Sequence, residues 1–287
     1  MTCTMNQVSL AVIRRHLRHF WHLTQRVSAG PRLRNTEIAR TLRSFRFDPP
    51  RTLMVHSSLS SLGYVVGGAA TIISVLKDWN PGGTLAMPAH SYCYPNDDGS
   101  TPVFDPRSTS SRVGAITDTF WRQSGVRRSI HPTHSLACLG PQADHLISDH
   151  ALCDTPCGKG TPYERLAHED AAVLMFGASL DSYTLFHTAE DAAQVPYLYQ
   201  KKPVKLRFLN STDGNPQVLN MKRQDMGVAR RFRDMAPWLE ERGLLFKARC
   251  GKGDFLFIPH AAAAHEQLVQ ALRSDPWMLV EASARPH

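Results

Sequence analysis

No run in this chain approaches the roughly 20 consecutive apolar residues that cross a bilayer, so no membrane partner is expected. The amino terminus lacks a secretory pattern: arginine and histidine interrupt its apolar positions, and no small-residue cleavage site follows. Paired cysteines are missing too. Cys3, Cys93, Cys138, Cys153, Cys157 and Cys250 contain no C-x-x-C, and Cys153-x-x-x-Cys157 has no second Cys/His pair at zinc spacing. No metal is therefore expected, and a reducing cytoplasm is the expected compartment. The absence of G-x-x-x-x-G-K-[ST] argues against a P-loop nucleotidase, and that of G-x-G-x-x-G after a strand argues against a Rossmann dinucleotide site. Without H-E-x-x-H or G-x-S-x-G, a zinc protease and an α/β-hydrolase elbow lose their signatures. There is no internal repeat and no low-complexity segment.

What is present describes a globular chain: 42% hydrophobic and 20% charged residues over 287 positions. The net charge of +8 is concentrated. Residues 1–46 carry Arg14, Arg15, Arg18, Arg26, Arg32, Arg34, Arg40, Arg43 and Arg46 against one acid, Glu37, and the remainder is close to neutral. Leu10, Ile13, Leu17 and Phe20–Trp21 recur at helical spacing among these arginines, which predicts a basic amphipathic helix. The plain reading is a docking helix with a solvated basic face. An arm for nucleic acid or a membrane surface, or arginines serving an anionic cofactor, are the alternatives. No stacking or base-reading motif accompanies the segment, so nucleic acid is not the expected partner. The chain divides into this basic helical extension, 1–46, and one domain, 47–287.

A short helix is predicted near 36–45. Beyond it, a strand at Arg51–Val55, a polar turn at His56–Gly63, a helix at Ala69–Trp79 and a strand at Thr84–Pro88 read as a βαβ unit with parallel pairing. Residues 90–115 form a long loop of the kind that carries function. Further elements are a helix at 114–123, a strand at 135–139, helices at 143–148 and 161–166, a buried strand at 172–176 and a helix at 184–194. A hairpin over 203–221 turning at Asp213-Gly214-Asn215 follows, then a helix over Met226–Arg242 kinked at Pro237, a strand at 255–258 and a helix at 261–273. The alternation gives an α/β fold, a layered sheet with flanking helices.

Four polar clusters sit where strands end: His56–Ser60, Arg128–Ser135, Pro156–Tyr163 and Tyr183–Glu190. Alone, each reads as an ordinary turn or helix surface. Within the last, His187 and Glu190 stand three residues apart and share a helix face. Their spacing fits either a solvated helix surface or a base with its partner.

Order and combination add a resemblance. "VHSSLSSLG" (55–63), "GGTLAMPA" (82–89), "FDP" (104–106), "RSIHPTHSLACLGPQA" (128–143), "GKGTPYERL" (158–166) and "LMFGASLDSYTLFHTAE" (174–190) resemble the aminoglycoside N3-acetyltransferases. The likeness is strong over roughly 50–200 and loose over 200–280. It implies the α/β architecture of that family, distinct from the larger acetyltransferase superfamily fold. It also implies a cleft that acetyl-CoA and a small cationic amine enter from opposite sides, and direct transfer without an acetyl-enzyme. His187, in T-x-x-H-x-x-E, matches the family's catalytic base.

The chemistry suits these residue types. A thioester is already electrophilic, whereas an alkyl amine near pH 7 is mostly ammonium and must lose a proton before attacking. An imidazole can take it, and a carboxylate on the far ring nitrogen stabilises the imidazolium. Glu190 and Asp225 are the candidate carboxylates; Glu190 could instead bind a substrate ammonium. Thr184, Ser135 and the backbone amides of the serine turn are candidate oxyanion donors. On the cofactor side the candidates are Ser57, Ser58, Leu59 and Ser60, with Gly67-Gly68 at a helix start for the pyrophosphate, and His131 and Ser135. Asp97, Asp181, Glu190 and Asp191 are the candidate contacts to the acceptor. The alternatives are a biosynthetic acyltransferase acting on another small amine or an alcohol, and a non-enzymatic CoA-binding module with an acidic partner. A monomer or a homodimer is compatible with the sequence.

Overall fold

Strands that are apolar on both faces must be covered on both sides, and the chain does this with helices. The computed structural model describes residues 32–210 and 214–285. The basic helix expected near residues 10–21 and the first residue of the expected hairpin turn, Asp213, lie outside the described residues. In chain order the elements are α1 (Asn35–Arg43), β1 (Thr52–Ser57), α2 (Gly68–Trp79), β2 (Thr84–Pro88), β3 (Val103–Phe104), α3 (Ala115–Trp121), β4 (Arg127–Arg128), β5 (Leu136–Leu139) and α4 (Ala143–Ile147). They continue with α5 (Pro162–His168), β6 (Ala172–Phe176), α6 (Leu185–Ala192), β7 (Val204–Phe208), β8 (Gln217–Met221), α7 (Ala236–Glu241), β9 (Phe246–Cys250), β10 (Gly253–Ile258) and α8 (Ala261–Ser274).

The main sheet runs β4-β5-β2-β1-β6-β10-β9. Its centre, β2-β1-β6, is parallel, and the strands on either side are antiparallel. β1, α2 and β2 form the expected βαβ unit. The two-residue side-chain period sorts the core. Leu53, Val55, Leu85, Met87, Leu174 and Phe176 face α1, α2 and α3. Met54, Ala86, Val173 and Met175 face α4, α5, α6 and α8. Residues 32–46 share the first of these layers: Ile38 and Leu42 are fully buried, and Leu33 pairs with Val65. A smaller sheet, β3-β7-β8, packs Phe104, Leu206 and Met221 into a core of its own. The expected hairpin is its β7–β8 pair.

One expected element is different. In place of a helix over Met226–Arg242 the chain runs irregularly to a 3-10 turn at Phe232–Met235, and only α7 follows. Pro237 lies in the first turn of α7, where its missing N–H has no helical partner to lose. Upstream, the Arg230 guanidinium bonds the carbonyls of Asp225 and Val228, which removes them from any helical ladder. The two-residue strands β3 and β4, and the edge strand β9 with Lys247 and Arg249, carry too little apolar periodicity to be read from sequence.

The parallel strands β1, β2 and β6 all end on one edge, where open α/β sheets place their sites. Gly177, just past β6, adopts φ +70°, and a Cβ there would lie 2.4 Å from Ser61 Oγ. Ser61 Oγ donates to the Gly177 carbonyl at 2.6 Å. This close crossing starts the turn that leads to α6.

Candidate active site

A cavity of about 290 Å³ opens at that edge. β1 contributes Val55, His56 and Ser57; Pro88 ends β2; the loop behind it supplies His90, Tyr92 and Tyr94. His134, the run Asp181–Thr184, His187, Gln224 and Met226 also line it.

His187 lies in the first turn of α6. Its Nδ1 is 2.6 Å from Glu190 Oε2, one turn on. The His187 side chain keeps 18% exposure, whereas Glu190 has none. The other carboxylate oxygen faces Arg230 Nε at 3.5 Å, so the buried charge has a cationic partner. Phe232 packs edge-on against the imidazole at 5.1 Å. An ionised Glu190 accepts from Nδ1–H, which leaves the Nε2 lone pair for the cavity.

The neighbouring wall is built from neutral imidazoles. His90 Nε2 meets Tyr163 Oη at 2.8 Å and its Nδ1 meets Tyr92 Oη at 3.1 Å. Tyr163 Oη donates to the His134 carbonyl at 3.0 Å. Hence Tyr163 accepts from His90 Nε2–H, and Tyr92 donates to Nδ1. Burial lowers His56 and His134 to about 3; for His134 the nearby His187 adds to the effect. Burial, then His134 and the other imidazoles, hold His90 well below its ordinary value. Three buried atoms on the wall, Ser57 Oγ, His56 Nε2 and Tyr183 Oη, have no partner among the described residues. Buried polar atoms are rarely left so.

The expected residues do not all converge here. Thr184, Asp181 and His187 line the cavity, and of the cofactor-side set only Ser57 does. The Ser58 amide is engaged by the Phe176 carbonyl at 3.0 Å, so it is not free for a phosphate or an oxyanion. Leu59 caps and Ser60 opens the 3-10 turn Ser60–Leu62, and neither is in the lining. Gly67 and Gly68 take φ +76° and +59° at the start of α2, also outside the lining. Six of the expected residues have other placements or partners. His131 is sealed: it stacks on His150 at 4.4 Å, and its Nδ1 accepts the His134 amide at 2.9 Å. The Ser135 hydroxyl donates to the Ala89 carbonyl at 2.7 Å and accepts from Arg128 Nε, behind the wall. Asp225 caps the Gly227 amide at 3.0 Å and does not meet His187. Asp191 faces a separate small cavity, accepting from Tyr199 Oη at 2.6 Å. Asp97 sits on the exposed loop away from the lining. Glu190, being buried, reaches an acceptor only through His187.

His90, Tyr163, Tyr183, Gln224 and Arg230 were not singled out from sequence. Tyr163 and Tyr183 lie inside quoted motifs, and His90 directly follows β2, a position that could have drawn notice. Arg230 had no local signal. Among the described residues no group of three or more His, Cys, Asp or Glu side chains is placed to hold a metal ion, and no helix is long and apolar enough to cross a membrane.

A cleft at the carboxyl ends of parallel strands, fronted by a carboxylate-held imidazole, defines an α/β protein with a polar site at its sheet edge. Comparison with known proteins gives the particular family. The sequence profile of the aminoglycoside 3-N-acetyltransferases matches residues 54–271, and the chain belongs to that family. It is 36% identical over 165 residues to aminoglycoside N(3)-acetyltransferase IV of Salmonella sp, covering 57% of this chain and 61% of that one. Against aminoglycoside N(3)-acetyltransferase IX of Micromonospora chalcea the figures are 34% over 224 residues, 72% and 74%. The chain thus spans about three fifths of the first of these relatives. Among solved structures, a histidine-to-alanine variant of an aminoglycoside acetyltransferase in complex with a gentamicin superposes with a TM-score of 0.77 at 29% identity, covering 90% of this chain and 96% of that one. A binary complex of AAC-IIIb with CoASH gives 0.73 at 27%, covering 85% and 97%.

Proposed function

We propose that the chain is an acetyl-CoA-dependent N-acetyltransferase that modifies the 3-amine of an aminoglycoside by direct transfer, with His187 as general base. The observation that carries this is the 2.6 Å contact between His187 Nδ1 and the buried Glu190, on an imidazole that still faces the cavity. The family and the gentamicin and CoASH complexes of its relatives supply the substrate pair.

Nε2 of His187 removes one proton from the acceptor ammonium and releases it to solvent. The free amine nitrogen attacks the thioester carbon, forming a C–N bond and an oxyanion. Thr184, on the cavity wall, is the candidate donor to that oxygen; one good donor contributes about 3–4 kcal/mol. The tetrahedral nitrogen gives its second proton to Nε2, the C–S bond breaks, and the imidazolium protonates the leaving thiolate. The products are an acetamide and free CoA. Glu190 fixes the tautomer of the imidazole and stabilises the imidazolium, and Arg230 pairs with its other oxygen. Asp181 is the one carboxylate on the wall among the described residues, and any ammonium of the acceptor that reaches it meets Arg233 there.

Thiol release from acetyl-CoA across an aminoglycoside panel, with mass analysis of the acetylated position, tests the reading. Release that depends on an aminoglycoside supports it; release with other amines or alcohols alone transfers the chemistry to a biosynthetic acyltransferase.

A further inference from the structure

Asp181 is the only carboxylate lining the cavity among the described residues, and it is already occupied. Arg233, from the 3-10 turn Phe232–Met235, grips it with Nε at 3.0 Å and Nη2 at 2.5 Å on Oδ2. The Arg233 backbone amide reaches Oδ1 at 3.1 Å, and Ser179 Oγ donates to Oδ2 at 3.0 Å. Glu190 is sealed behind His187, and beyond His187 the wall offers no further charge partner: His56, His90 and His134, which burial holds below the ordinary histidine range, tyrosines, Ser57, Thr117, Thr184, Gln224 and Met226. A polycation entering this cavity therefore meets one acid in its lining, and a guanidinium already pairs with that acid.

We propose that Arg233 is a specificity-determining residue: it competes with the acceptor's ammonium groups for Asp181 and biases the site toward amines of low charge. The inference rests on the reading that this cavity binds the acceptor amine. A polycation loses twice, because it must displace the guanidinium from Asp181 and then bear its repulsion. An acceptor whose reacting amine needs only His187 loses neither. The pair is partly exposed, with side-chain exposures of 74% for Arg233 and 43% for Asp181, so water and salt screen it and the bias is moderate.

The test is equilibrium binding by calorimetry, which reads the acceptor site whether or not acetyl transfer follows. The full chain is titrated with gentamicin and with 2-deoxystreptamine, the diamine core of such compounds, in low salt. Arg233→Gln, Asp181→Asn, the double variant and the remote control Arg242→Gln are compared. The expected result is that Arg233→Gln tightens gentamicin binding about 3- to 10-fold and 2-deoxystreptamine binding less than about 3-fold. Asp181→Asn weakens both, the double variant resembles Asp181→Asn, and the gain shrinks in 0.5 M salt. Unchanged or weaker gentamicin binding in Arg233→Gln, an equal gain in Arg242→Gln, or no binding by any variant overturns the inference. Thiol release measured in parallel judges the transferase reading separately. Tighter binding without release sinks that reading and leaves this one standing.

Discussion

His187 and His131 both follow strands and both lie within the matched range 54–271, yet the fold puts them to opposite uses. His187 is held by a carboxylate on one nitrogen and offers the other to a cavity. His131 is completely buried, meets no acid, and uses Nδ1 as an acceptor for the amides of His134 and Thr133. Burial, with His150 and His134 adding, holds it well below the ordinary histidine range. A proton on its Nδ1 would break the turn that carries His134. The comparison teaches that residue type and motif membership do not decide a histidine's role; the partner of its second nitrogen and its access to solvent do.

Substitutions on the two sides should separate accordingly. The largest effect is expected from His187→Ala, with kcat falling by about two to four orders of magnitude while acetyl-CoA affinity changes little. Steady-state thiol release with a binding isotherm checks both halves, and loss of affinity in step with kcat would turn His187 into a binding residue. Next comes Glu190→Gln. It should lower kcat about 10- to 100-fold and, by leaving the guanidinium of Arg230 without its carboxylate, also lower Tm. A variant with wild-type turnover would remove Glu190 from the mechanism.

His131→Ala should do the reverse. It is expected to cost about 2–3 kcal/mol of stability in urea unfolding, with turnover per folded molecule within about 3-fold. The smallest effect belongs to Asp225→Asn, within about 2-fold in kcat, because its carboxylate only caps a turn; a fall of 10-fold or more would reinstate it beside His187.

Acid sharpens the same contrast. His56, His134 and His150 are lowered from 6.5 to about 3, first by burial. Between those values the unfolded chain binds protons that the folded one refuses. Their contribution to stability is therefore complete above about pH 6.5 and is lost as pH falls toward 3. Urea midpoints measured down this range should drop, and a flat profile would show that these rings are less buried than the fold implies.

Much of this was legible beforehand where the physics is local. The β1–α2–β2 unit announces itself through apolar runs and a glycine-rich stop, and His187 and Glu190 share a face by helical spacing alone. The rest depends on contacts between distant segments. His90 and Tyr163 are 73 residues apart, and Arg230 reaches Glu190 across 40. The placement of Asp225 was hidden for the same reason: its turn points the carboxylate at Gly227, while the arginine that meets Glu190 stands five residues on. The Met226–Arg242 segment looked helical because its composition permits a helix, but Arg230 claims the carbonyls that a helix would need.

The central claim is that an imidazole at position 187 takes the proton from the acceptor, and chemical rescue tests it most directly. Thiol release by His187→Ala, saturated with acetyl-CoA and an aminoglycoside, would be followed as free imidazole is added. The account predicts a rate that climbs with the concentration of neutral imidazole, while the wild-type rate stays level. Wild-type turnover by the variant without any added base would contradict it.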